Sequence, residues 1–290
     1  MLSFISRRLV FIALIAVLII FFAYLGMSMV SNSEAYEPDY NLLEHGMSAW
    51  RETRAFLAGR NPLPAPDLLL GAYVNSVGLL LVALVTAAAL GLSIGVVAAL
   101  TKRRWLIMPL LALTIVGISV PSFFAGLLLR LGELKFLEIF GHRLVSMAGF
   151  GWDFEHMLMP VLVLAAVPLA YLTRVSFISL NRAMEEDYIR TAYAKGLTTR
   201  KTVSDHAFRN VAILLLTALG VSIRFSLSVL PIVEFFFVWP GMGVRLLQAI
   251  NQRQATTVVA LALALGLTIL FVNLSLDILY RIVDPRMRDA

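Results

Sequence analysis

The stretch Glu185–Thr202, EEDYIRTAYAKGLTTRKT, is charged, holds one glycine, and lies between two long apolar runs. Glu185, Glu186 and Asp187 suit the start of a helix, where the macrodipole favours negative charge. Tyr188 with Ala192, and Ile189 with Tyr193, stand four residues apart and predict one apolar face about two turns long. Gly196 fits the position just past a helix end, where a left-handed backbone is common. Thr198 can cap a second helix that continues through Val203 and Phe208 into the next apolar run. The pattern reads as short helix, glycine, second helix. A two-turn helix is marginal alone in water, so its apolar face needs a surface. The residues leave two readings open. The helix lies on the bilayer or on its own bundle, with Arg190 and Lys195 reaching lipid phosphates, or a partner protein grips it.

The flanking sequence fixes the class. Mean hydropathy is +0.86 and charged residues make up 14% of the chain, outside the globular range. The apolar residues gather into runs of about 20, the length that crosses a hydrocarbon core of about 30 Å. The expected fold is all-α and polytopic, with six spanning helices near 9–30, 71–100, 105–130, 157–180, 209–233 and 256–282. The second is longer than the core requires. The first follows Arg7 and Arg8 and lacks a small-residue cleavage site, so it reads as a retained helix rather than a signal peptide. Polar loops are expected at 31–70, 101–104, 131–156, 181–208 and 234–255. Residues 1–70 form one region, the first helix and its loop. Residues 71–290 form a five-helix core that carries the loop 181–208.

Fifteen of the 24 Lys and Arg residues fall at the N-terminus, in TKRR at 101–104, over 174–209 and in the C-terminal tail. That bias predicts cytoplasmic termini, acids such as Glu34, Glu37 and Asp39 in the first loop counting little. The net charge of +6 does not point to nucleic acid, because the basic residues border the apolar runs. Cysteine is absent, which excludes disulfides and thiolate metal sites. NPLPAP, Asn61–Pro66, precludes a helix across its prolines.

EEDYIRTAYAKGLTTRKTVSDHAFRN resembles the cytoplasmic EAA loop of permease subunits from ATP-binding-cassette importers, most of all the dipeptide, oligopeptide and nickel branch. SVPSFFAGLLL (119–129), EFFFVWPGMGVRLLQAI (234–250) and DILYRIVDPRMR (277–288) agree with it, and the likeness covers residues 71–290. The resemblance implies a type I importer bundle in a prokaryotic plasma membrane. It implies a coupling helix from Glu186 to Lys195, turned at Gly196, docked on a separate ATPase subunit. Its residues would be Glu185, Glu186, Asp187, Tyr188, Ile189, Arg190, Ala192, Tyr193, Lys195 and Gly196. The implied partners are a second, homologous permease, two ATPases that hold the ATP and Mg, and an extracytoplasmic binding protein, with no cofactor in this chain. Dipeptides, longer peptides, nickel chelates and other small solutes all fit the branch. Three departures stand out: Leu214 takes the place of a proline after the loop, RQATT stands at 253–257, and SMVSNSEAYEP at 28–38 lacks the usual ending of the first helix.

Other motifs carry less. No G-x-x-x-x-G-K-[ST] occurs and none of the four lysines follows a glycine-rich turn, so ATP must bind another chain. GLSIG (91–95) matches a nucleophile elbow, yet Ser93 lies in an apolar helix with no histidine near. Ala87, Gly91, Gly95 and Ala99 instead form a small-residue stripe for close helix packing. Asp153 and His156 are two groups, too few for a metal, and read as a helix start. Arg224 lies about 22 Å along the fifth span from Arg209 by helical rise. Ser222, Arg224, Ser226 and Glu234 are the candidate translocation path; the alternative for Arg224 is an ion pair with another helix or the partner permease. Asp277 and Arg281 are placed for a local pair. Pro121 and Pro231 are expected to kink or end their helices. WPGMG (239–243) reads as a turn, with Trp239 and Phe235–Phe237 at the outer interface. Two other classes fit the sequence less well: an intramembrane hydrolase needs a buried nucleophile and base, and an autonomous channel or secondary transporter would leave the charged loop without use.

Overall fold

The computed structural model describes residues 2–32, 41–101 and 104–283. Lys102 and Arg103, the acids Glu34, Glu37 and Asp39, most of the 28–38 segment, and the tail with Arg286 and Arg288 lie outside the described residues, as does the side chain of Arg281. The described residues form α1 (Leu2–Asn32), α2 (Leu42–Leu57), α3 (Pro66–Leu100), α4 (Arg104–Ser119), α5 (Ser122–Phe140), α6 (Phe154–Glu185), α7 (Asp187–Ala194), α8 (Thr199–Thr202), a π-helical turn at Val203–Ala207, α9 (Phe208–Phe237), α10 (Met242–Asn251) and α11 (Ala255–Val283). No strand occurs among them.

Five of these stretches are long and apolar enough to span a membrane: Ser6–Val30, Pro66–Leu100, Phe154–Glu185, Thr199–Phe237 and Ala255–Leu279. The expected third span at 105–130 is not one straight helix. Ile107–Ser119 and Ser122–Phe140 meet at 111°, and the pair counts as a sixth span only if taken together. Pro121 sits at the break, extended at ψ 140, because a proline disfavours helix in the residue before it and cannot donate into the preceding turn.

Other expectations need correction. The segment 31–70 is not all loop: α2 is amphipathic and buries Ala49 and Thr53. The prolines of 61–66 do stay out of helix, until Pro66 opens α3 at the first helical position, which tolerates a missing N–H. Residues 131–140 continue α5, and the loop expected at 234–255 holds the end of α9 and all of α10. Pro231 does not end α9, which runs on to Phe237.

The chain divides into two compact units. The first combines residues 1–77 with 239–274. In it α1 and α2 pack through Phe21 on Trp50 and Tyr24 on Phe56, both edge-on. Ile20, Tyr24, Ala49 and Val259 form one buried cluster, and Ala72, Met242 and Leu261 another. Trp239 is not at an interface as expected: it is fully buried, and its indole Nε1 donates to Asn75 O at 3.0 Å.

The second unit combines residues 78–238 with 275–290. The antiparallel pair α6 and α9 is its centre. The small-residue stripe on α3 lies against α6. A Cβ on Gly91 would come 2.9 Å from Leu169 O, and one on Gly95 2.6 Å from Thr173 O. Only glycine lets the two backbones approach that closely.

Candidate functional site

The chain leaves α6 at Glu186, which is extended at ψ 150, and turns directly into α7. Eight residues give α7 barely two turns, so burial must hold it. Ile189 is 0% exposed and Ala192 4%. Ile189 joins Leu180, Ala183, Ala207, Val211 and Leu215 in a buried cluster on α6, the π turn and α9. The four residues of the expected apolar face share one side of α7, and only its centre is fully buried. At 100° per residue, Ile189 and Ala192 point the same way, while Tyr188 and Tyr193 flank them on either side. The tyrosines stay 36% and 41% exposed. Glu185, Glu186, Asp187, Arg190 and Lys195 are exposed as well. Arg190 meets Asp187 at 3.3 Å, an exposed i,i+3 pair that contributes little.

The end of α7 is a complete Schellman motif. Gly196 N donates to Tyr193 O at 2.9 Å and Leu197 N to Ala192 O at 3.2 Å. Gly196 holds φ +78, which a side chain disfavours, although a Cβ there would meet nothing within 4 Å. Thr198 then caps α8, its hydroxyl accepting from Lys201 N at 3.4 Å. The π turn at 203–207 leads without a break into α9. Thr202 is buried beside it.

The same unit encloses a cavity of about 620 Å³ lined from α3, α4, α5, α6 and α9. Its walls are almost wholly apolar, with Ile94, Leu113, Gly117, Ala166, Phe225 and Val229 among them. Thr173 contributes a buried hydroxyl that has no partner among the described residues. The four residues expected along a path do not line this cavity. Ser222 and Ser226 are buried on one face of α9, the Ser222 hydroxyl donating back to Ala218 O at 2.8 Å. Arg224 lies on the opposite face, exposed, and makes no ion pair among the described residues. Glu234 is fully buried near the end of α9.

Arg130 and Glu133 were missed by the sequence reading. One turn apart on α5, they hold the loop that follows. Arg130 Nε donates to Met147 O at 2.9 Å, its Nη2 donates to Phe236 O, and the guanidinium lies 4.3 Å from the Phe236 ring centroid. Glu133 is 4% exposed, and its Oε1 accepts from Leu144 N at 2.7 Å and Val145 N at 3.2 Å. Gly149 N adds a bond to Phe237 O at 2.9 Å. The available signal was a charged i,i+3 pair inside LLLRLGELKF, a costly feature unless each charge has a use. Glu133→Ala strands two backbone donors. It should destabilise the chain by about 2–4 kcal/mol, read as a lower melting temperature in detergent, while Glu138→Ala on the same helix should cost under about 0.5 kcal/mol.

Asp153 caps α6: its Oδ1 accepts from His156 N at 3.1 Å, and the carboxylate meets His156 Nδ1 at 2.9 Å. These bonds, the side-chain one first, hold the Asp153 carboxyl below its ordinary value. The pair is a helix cap, as expected. No group of three metal-ligating side chains occurs among the described residues.

Comparison with known proteins agrees with this architecture. Residues 91–289 match the family described as binding-protein-dependent transport system inner membrane component. The dipeptide transport system permease protein DppB of Escherichia coli (strain K12) is 32% identical, over 71% of this chain and 68% of the relative. A putative peptide transport system permease protein of Brucella suis biovar 1 (strain 1330) is 33% identical, over 73% and 68%. The glutathione transport system permease protein GsiC of Escherichia coli O1:K1 / APEC is 30% identical, over 78% and 72%. The chain belongs to the binding-protein-dependent transport system inner membrane component family. It is a multi-pass permease subunit of a prokaryotic inner membrane and not an enzyme.

Proposed function

We propose that this chain is one of two permease subunits in an ATP-driven importer of peptides or similar small solutes, and that α7 is its coupling helix. The observation that carries the reading is the division of labour on α7. Ile189 and Ala192 root it in α6 and α9, while Tyr188 and Tyr193, at the edges of that face, stay more than a third exposed beside Glu185, Glu186, Asp187, Arg190 and Lys195. A helix that merely covered its own bundle would turn its largest apolar side chains inward. This one buries Ile189 and Ala192 and leaves both tyrosines at the margins of that face, more than a third exposed, where a partner's cleft would cover them. Gly196 fixes the angle at which α7 returns to α8. ATP and Mg sit on two ATPase subunits, both termini are cytoplasmic, and an extracytoplasmic binding protein delivers the solute. Residues 71–290 are the permease core, and 1–70 an accessory helix with its following segment.

The apolar cavity at Thr173 and Phe225 is this chain's share of the route. Arg224, exposed on α9 with no acid paired to it among the described residues, is left for a carboxylate outside the chain, on the second permease or on a passing peptide. An autonomous channel would have no use for the outward face of α7.

The test is a photocrosslinker placed singly at Tyr188, Tyr193 and Ile189 in the complete transporter. Positions 188 and 193 should capture an ATPase subunit, and 189 should crosslink only within the chain. Capture of lipid alone from 188 and 193 defeats the proposal.

A further inference from the structure

The helix α2, within a segment expected to be loop, carries a second surface. α2 buries Ala49 and Thr53 but exposes a stripe at Leu43, Met47, Trp50 and Leu57, with Leu43 77% and Trp50 51% exposed. Spacings of four, three and seven residues put these side chains on one face. Beside the stripe lie Arg51 and Arg54. Gly59, at φ +68, turns the chain so that Arg60 N donates back to Ala55 O at 2.9 Å, which returns Arg60 to the same place. The three arginines are exposed, and none of them pairs with a carboxylate among the described residues.

Two adjoining grooves mark this surface. One, of about 530 Å³, is apolar and runs between α1 and α2, lined by Phe21, Leu25, Leu42, Leu43, Met47 and Trp50. The other, of about 820 Å³, is lined by Met47, Trp50, Arg51, Arg54, Leu57 and Arg60 among others. They share Met47 and Trp50, so an apolar trough opens onto a cluster of three cations. Depth agrees with this chemistry. The contacts of α2 fall within residues 20–28 of α1, the last part of the span Ser6–Val30. Ala49 of α2 and Tyr24 share a buried cluster with Val259, which by helical rise lies about 6 Å from the start of the span Ala255–Leu279, at the level of headgroups and upper acyl chains.

We propose that α2 is an in-plane membrane helix that binds an acidic phospholipid. Arg51, Arg54 and Arg60 hold the anionic headgroup, and an acyl chain lies in the trough between Phe21 and Trp50. Charge complementarity selects the occupant. Three arginines on a groove whose lining holds no acid, with Glu52 of the same helix turned to a different pocket beside Tyr24, next to exposed Leu, Met and Trp at interfacial depth, match an anionic amphiphile at both ends. A protein partner would need acidic side chains and an apolar ridge in the same arrangement, at the depth of lipid.

The test uses fluorescence quenching by phospholipids brominated on their acyl chains, in the detergent-solubilised full chain and in the assembled transporter. The signal of Trp50 is the difference between wild type and Trp50→Phe. Brominated phosphatidylglycerol should quench it at about tenfold lower mole fraction than brominated phosphatidylcholine. R51Q/R54Q/R60Q should bring the two lipids to within about twofold. R51K/R54K/R60K, which keeps the charge, should retain a clear preference and so separates loss of charge from loss of structure. Inorganic phosphate should not displace the lipid, and the preference should persist in the assembled transporter. Equal quenching by both lipids in the wild type overturns the proposal, and so does an unchanged preference in the glutamine variant. Displacement by phosphate would make this a plain anion site, and loss of quenching on assembly would give the face to a protein; either result also overturns it.

Discussion

Gly196→Pro should abolish coupled transport while the chain still inserts. Gly196 ends α7 at φ +78 and donates its N–H to Tyr193 O. Proline fixes φ near −65° and has no N–H, so it removes both features of the Schellman turn. The local cost is about 3 kcal/mol or more, concentrated at the joint between α7 and α8. Because α7 is anchored mainly by Ile189 and Ala192, that cost should unseat the helix rather than unfold the spans. In the reconstituted transporter, ATP-driven uptake should fall at least about tenfold, the effect of about 1.4 kcal/mol lost from a rate-determining step. ATP hydrolysis should continue without transport. Gly196→Asn is the control, since asparagine tolerates the left-handed backbone and should keep most of the uptake. Glu186→Lys tests the partner contact separately. Glu186 is exposed at the head of α7 and its side chain makes no capping bond. Charge reversal there costs the isolated helix only about 0.3–1 kcal/mol, so a large loss of uptake would report a broken contact with the ATPase. Normal uptake by both Gly196→Pro and Glu186→Lys would remove α7 from the mechanism.

The sequence made some of this visible, and physics explains the rest. Long apolar runs were legible because membrane insertion leaves one signal, length. The turn at Gly196 was legible because few residues accept φ +78. The close approach of α3 to α6 could be read from Gly91 and Gly95, since nothing else fits against Leu169 O and Thr173 O. The orientation of α7 was not legible. Four-residue spacing joins Tyr188 to Ala192 and Ile189 to Tyr193 with equal force, and only the pocket formed by Leu180, Val211 and Leu215 chooses Ile189. The 111° bend was half legible: Pro121 announced a break but not its angle, which depends on what α4 and α5 each pack against. The helix α2 was hidden by its charges. ETR and the flanking histidine and glutamate lower mean hydropathy until the segment reads as loop, although its period is helical. That Arg224 faces away from Ser222 and Ser226 was hidden for a similar reason. Ser222, Arg224 and Ser226 are near in sequence, yet alternate residues on a helix point 200° apart.

Trp239→Ala should lower stability more than any other single truncation in the first unit. Trp239 is 0% exposed and among the largest side chains buried so completely. Truncating a buried aromatic to alanine costs about 3–5 kcal/mol, part transfer and part cavity. The hydrogen bonds raise the stake. Trp239 Nε1 donates to Asn75 O at 3.0 Å, Asn75 Nδ2 donates to Pro240 O at 3.1 Å, and Met242 N donates to Ser76 Oγ at 2.7 Å. Together they fasten the WPGMG turn to consecutive residues of α3 and deliver Met242 to its cluster with Ala72 and Leu261. Without the indole the turn loses its filler and one of these ties. The melting temperature in detergent should drop on the order of 10 °C, at a few degrees per kcal/mol for a chain of this size. Trp239→Phe keeps most of the volume and forfeits only the N–H donor, so it should cost about 1–2 kcal/mol. The order alanine, then phenylalanine, is the discriminating result. A tryptophan resting in the headgroup layer would show the two variants nearly alike and a shift under about 2 °C, because lipid would fill the space that here only protein can fill.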